Sequence, residues 1–144
     1  MQISNEERAR LKSLYLKAAY EVQYPHSASS FCIEVGTNHP QLDEYLAPTE
    51  SWMFMTAYEP MGQKYSTRRN RLAQQRLLRE ADKKEKKLWT GLGYDLRSDA
   101  DWEEPSALIF PVTKTEAFDW AHRYRQLAIL FGSRGQKAQL LFTR

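Results

Sequence analysis

The sequence predicts a single α+β domain over residues 1–144: a mixed β-sheet of about five to six strands, with about four helices packed on it. Three observations carry that reading. Short apolar runs such as "SWMFMTAY", Ser51–Tyr58, alternate along the chain with segments of helical periodicity. Two capping-box patterns, Ser4-x-x-Glu7 and Thr113-x-x-Glu116, mark helix starts. The chain closes on two apolar runs around a Gly-containing turn, "LAILFGSRGQKAQLLFT", which is a hairpin pattern.

The elements follow in order. Behind Ser4, the residues Leu11, Leu14, Tyr15, Ala18 and Val22 recur at helical spacing and predict one helix with a buried stripe. Ser30–Gly36 alternates and ends in glycine, a strand. Asn38 is the expected N-cap of a short helix that stops before Pro48. Ser51–Tyr58 is the most continuous apolar run and reads as a central strand. A long helix begins at Ser66 or Thr67 and is expected to reach about Lys86. At 100° per residue, Ala73, Leu77, Ala81 and Leu88 share one face with Asn70 in its middle, and Arg68, Arg71, Gln75, Arg79 and Lys86 take the other. "KLWTGLGYDL" and "SALIFPVT" are two further strands, with Gly91 and Gly93 marking a bulge. Ala117, Trp120, Ala121 and Tyr124 form the stripe of the last helix.

Composition narrows the function classes. Hydrophobic residues reach 42%, too many for a disordered chain. The net charge of +3, from 21 basic and 18 acidic residues, is far from the dense positive surface of a dedicated nucleic-acid binder. Cys32 is the sole cysteine, so no internal disulfide forms. The N-terminal residues lack a signal-peptide pattern, and no run approaches the ~18 apolar residues of a membrane span. A soluble, cytoplasmic protein without membrane contact is expected.

Catalytic signatures are sparse. His26, His39 and His122 show no metal-ligand spacing with Cys32 or one another. Cys32 sits inside a strand pattern, where a buried, inert thiol is the default. There is no phosphate-loop lysine and no Gly-x-Ser-x-Gly elbow. No catalytic residue, metal or cofactor is assigned, and Glu59, Asp101, Glu103 and Glu104 remain the only carboxylates placed for acid–base work.

"MTAYEPMGQKYSTRRN", Met55–Asn70, is the region to test. Pro60 should hold Glu59 extended and end the strand there. A loop then leads to a helix N-terminus, the place where sheets with covering helices tend to bind ligands. Lys64, Arg68 and Arg69 gather where the helix dipole disfavours cations, which calls for an anion nearby. Asn70, polar on an apolar face, must find partners. It either ties down the Glu59–Tyr65 loop or lines a pocket.

The stretch resembles a bacterial family of domains of unknown function, built around a Thr-Ala-x-Asn-Pro motif, a later helical Asn, a Trp-x-Glu-Pro-Ser segment and a helix-ending Gln. Here these fall on Thr56, Ala57 and Pro60, on Asn70, on Trp102, Glu104, Pro105 and Ser106, and on Gln126. Glu59 stands where the family pattern has Asn. The resemblance adds candidates without naming a reaction. The expected site therefore comprises Asn70, Arg68, Glu104 and Gln126, supported by Thr56 and Ser106, around a small anionic ligand that could carry phosphate. Two alternatives stand beside it. One is a nucleic-acid-associated accessory protein using Arg71, Arg79, Lys83 and Lys86 on the outer helix face; acidic Glu80, Asp82 and Glu85 interleave there and argue for a merely solvated surface. The other is a hydrolase using Glu59 or Glu104. The C-terminal hairpin leaves both a monomer and a homodimer open.

Overall fold

The computed structural model describes residues 3–59, 64–95 and 103–143. Along them run α1 (Asn5–Leu16), β1 (Ala18–Gln23), β2 (Ser30–Ile33), α2 (Pro40–Asp43), β3 (Ser51–Met55), α3 (Thr67–Lys83), β4 (Lys87–Asp95), β5 (Glu103–Phe110), α4 (Lys114–Arg123), β6 (Ala128–Ser133) and β7 (Gln139–Phe142). The α+β class holds, with four helices among the described residues. The sheet differs from expectation in two ways: it has seven strands, in the order β2-β1-β4-β5-β3-β6-β7, and every neighbouring pair is antiparallel rather than mixed.

The additional strand is β1. The helix expected to run through Val22 ends at Leu16, and Tyr20 and Val22 then bury alternately, with Glu21 between them only half-buried. Ala18 and Val22 fit both periods. The Tyr-Glu-Val-Gln alternation decides for strand because β2 and β4 flank it on both sides. Gly91 and Gly93 form no bulge, since both β4 ladders continue through them. Gly91 makes room instead: a Cβ there would stand 2.5 Å from Cε2 of Phe54.

The antiparallel ladder contains two interlocked crossovers. β3 and β4 run the same way with β5 between them, joined through α3; β5 and β6 run the same way with β3 between them, joined through α4. This βαββαβ unit, Ser51–Ser133, has the strand order of a ferredoxin-like arrangement. Trp52–Met55 is apolar throughout because both faces of β3 are covered. Met53 and Met55 pack with Leu77 and Ala81 of α3 and Ala117 and Trp120 of α4. Trp52 and Phe54 face the opposite side, with Tyr20, Val22, Leu42 and Leu130.

The helix ends follow sequence chemistry. Ser66 caps α3 by accepting from Arg69 N at 3.2 Å, and Thr113 with Glu116 forms the complete capping box of α4. α3 ends at Lys83, before the expected Lys86, and Glu85 turns the chain at φ 58°. α2 starts at Pro40 with His39, not Asn38, in the cap position. No helix among the described residues is long and apolar enough to cross a membrane.

Candidate functional site

The β3–β5 ladder pairs Met55 with Ala107, so the chain leaving β3 lies beside the start of β5. Three amide side chains hold that segment. Gln74 Oε1 accepts from Ala57 N at 2.8 Å. Gln126 Nε2 donates to Tyr58 O and Tyr124 O, each at 3.2 Å. Asn70 Oδ1 accepts from Glu59 N at 3.0 Å, while its Nδ2 donates to Glu59 Oε2 at 3.1 Å and Tyr65 O at 3.4 Å. Thr56 completes the fastening: its hydroxyl donates to Pro105 O at 2.7 Å and accepts from Tyr58 N at 3.0 Å.

Glu59 is not extended. It adopts the left-handed region at φ 46°, a conformation that costs a residue with a Cβ and that Asn tolerates better. The network compensates, since Glu59 Oε2 also accepts from Tyr65 N at 2.7 Å. Asn70, buried at 6% exposure, thus ties Glu59 and Tyr65 to α3. That is the first of the two roles open to it.

Next to this segment lies a cavity of about 730 Å³. Tyr15 of α1, Tyr20 of β1, Phe54 of β3 and Leu130 of β6 give it an apolar wall; Thr56, Glu59, Glu104, Ser106 and Gln126 give it a polar one. Ser106 turns its hydroxyl to Glu104 O at 3.0 Å. Tyr20 donates its hydroxyl to Tyr15 O at 2.7 Å, and burial pushes both phenols' pKa up, so both stay neutral. Leu14 of α1 lines the cavity while remaining 46% exposed.

Of the six residues expected to form the site, Thr56, Glu104, Ser106 and Gln126 come together on this wall. Asn70 supports it from behind, and Arg68 lies on the exposed side of α3, outside the lining. Trp102, Asp101 and Pro60 lie outside the described residues. The cations expected to call for an anion do not line the cavity, and Arg69 stacks on the Tyr65 ring at 4.4 Å. Among the described residues its lining carries Glu7, Glu59, Asp95 and Glu104 and the cation Arg10, which is itself bound to Glu7. Sequence reasoning missed Gln74, although it lies only 40° from Asn70 on the helical projection. It also missed the tyrosines of α1 and β1, which no local pattern connects to β3.

Two further expectations change. Cys32 is exposed on the edge strand β2, and burial and the nearby Glu21 push its thiol pKa up rather than down, away from a reactive thiolate. Lys86, expected on the outer face of the long helix, follows α3 instead and pairs with Glu116 at 3.0 Å.

Neither a curated protein nor a solved structure matches the chain. Residues 55–129, just over half of the sequence, match the family described as protein of unknown function (DUF3293). The match runs from the last residue of β3 to the second of β6, and takes in all three anchoring amides together with the polar wall residues Thr56, Glu59, Glu104 and Ser106. On that match, the chain belongs to the DUF3293 family.

Proposed function

We propose that the protein binds a small molecule in the cavity between α1 and the sheet. The observation that carries this reading is the convergence of Thr56, Glu104, Ser106 and Gln126, from three separate chain segments, on one wall of a cavity whose other wall is apolar. Ligand sites have this make-up, and its volume of about 730 Å³ falls in their usual range. The 56–59 segment is pre-organised by Gln74, Gln126 and Asn70, so little ordering would be needed on binding. Among the described residues the lining holds no cation besides Arg10, which Glu7 already engages, and Lys64 and Arg68 lie outside it; this supports a neutral or cationic head group on an apolar body over the anion that Lys64 and Arg68 suggested. The hydrolase alternative gains no support from Glu59, whose carboxylate serves Tyr65 N and Asn70.

The test is a thermal-shift screen with aliphatic and aromatic amines, neutral polar compounds of similar size, and phosphorylated metabolites. A ligand at a hundred times its Kd adds about 2.7 kcal/mol, or roughly 10 °C for a chain of this size. Leu14→Arg, at a half-exposed position, should leave the melting of the free protein nearly unchanged and weaken a cationic ligand. Shifts confined to phosphorylated compounds would restore the anionic reading. If no compound shifts either protein, the binding proposal fails.

A further inference from the structure

We infer that the solvent face of α3 binds the phosphate backbone of double-stranded DNA, at a surface separate from the cavity. α3 carries six basic residues (Arg68, Arg69, Arg71, Arg76, Arg79 and Lys83) against Glu80 and Asp82. The rest of the chain holds 15 basic and 16 acidic residues, so this one helix accounts for the whole positive charge of the protein.

Packing sorts those charges further. Glu80 is drawn to the α4 side: it bridges Arg123 and Lys84 and accepts the Tyr124 hydroxyl at 2.7 Å. The carboxylate that would neutralise the middle of the helix is thereby spent elsewhere. Arg68, Arg71, Gln75 and Arg79 fall within 80° of one another on the helical projection and are all exposed. Asp82 shares their side only at the C-terminal end. At 1.5 Å per residue, Arg68 to Arg79 spans about 16 Å, or roughly five base pairs at 3.4 Å each.

Chemistry selects the partner. Guanidinium forks match phosphate oxygens, and arginine is the usual choice for that contact. A membrane surface is disfavoured because the apolar side of α3, Leu77 and Ala81, is buried against the sheet and cannot enter a bilayer. An acidic protein partner would want apolar anchors at the centre of its interface, and Leu72 is the one large exposed apolar side chain on α3. A helix side fits the open major groove of B-DNA, whereas the A-form groove of duplex RNA is too narrow for side chains to enter. The contact is to the backbone, without base readout. Because α3 packs on the sheet face carrying Met53 and Met55, while the cavity opens on the Phe54 face, the two surfaces do not compete.

The experiment is fluorescence anisotropy of the full chain with a labelled 20-base-pair DNA duplex at 50 and 200 mM salt. With three phosphate contacts, affinity should fall about 40-fold between the two. Arg71→Gln/Arg79→Gln should cut the logarithmic salt slope from about −2.7 to about −0.9, and Arg71→Glu/Arg79→Glu should abolish binding with melting unchanged. Lys86→Gln should leave binding as it is, since that lysine is engaged by Glu116. Failure to bind the duplex at 50 mM salt overturns the inference. So does binding that survives the double reversal, or tighter binding to an RNA duplex, an acidic peptide or anionic vesicles.

Discussion

Asn70→Ala separates an anchoring role from a merely buried one. The substitution removes the acceptor of Glu59 N and the donor to the Glu59 carboxylate, at 3.0 and 3.1 Å; the third contact, at 3.4 Å to Tyr65 O, is too long to count for much. The neutral bond is worth about 1 kcal/mol, and the charge-assisted one about 1.5 kcal/mol, the low end of its range because Glu59 is only half-buried and water can reach it. Alanine returns roughly 0.6 kcal/mol as the better helix former. The expected loss is therefore about 2 kcal/mol, or about 8 °C in Tm for a chain of this length. Thermal and urea unfolding measure the loss. Amide hydrogen exchange locates it: protection should fall at Glu59 and Tyr65 and persist at Leu77 in the same helix. A fall in Tm below about 2 °C, with exchange at Glu59 unchanged, would refute the reasoning and move the left-handed turn's support to Tyr65 N and the Glu59 carboxylate.

Two other outcomes follow from local geometry. Arg125 holds φ 54° immediately beyond the C-cap of α4 and is exposed, so Arg125→Gly should raise stability by about 0.5–1 kcal/mol, read as a Tm gain of a few degrees; a loss would mean that the arginine side chain contributes more than its backbone costs. His39 is buried, accepts from Glu34 N at Nε2 over 3.0 Å, and has its Nδ1 buried without a partner among the described residues. Burial lowers its pKa, with Glu34 and Asp43 opposing, so the folded state binds its proton less readily than the unfolded chain. Its contribution is then complete above the unfolded value of about 6.5 and declines as pH falls through and below it. The Tm margin of wild type over His39→Ala should narrow from pH 8 to pH 5, and a flat margin would contradict this.

What could be read from the sequence was local. Capping residues at Ser66 and Thr113 located two helices, and the apolar stripe of α4 followed directly. Asn70 stood out because an amide on an apolar helix face demands partners, and the same test applied four residues later finds Gln74. Cys32, expected buried, is exposed, although Phe31 and Ile33 flank it and the same alternation would have turned it outward. The rest depends on distant residues. Strand direction could not be read, since β3 and β4 become parallel only through β5 lying between them. β1 was hidden because two small residues, Ala18 and Ala19, follow a helix and fit its period. The cavity combines α1 with residues more than a hundred positions away, and no local pattern predicts a gap between them.

The strand order also has a consequence for how the chain reaches this structure. β3 pairs only with β5 and β6, so Phe54 waits for Leu108 and Leu130. The Trp52–Met55 run, buried on both faces at the end, therefore has no partner strand while the next 47 residues are made, roughly 2–10 s at cellular synthesis rates. β1 and β2 form a local hairpin, but Tyr20 must still wait for Gly93. Such a topology is closed by long-range pairings and belongs among the slower folders, on the millisecond-to-second scale. Its most exposed moment comes during synthesis, when an apolar strand with two open edges is the natural substrate for a chaperone.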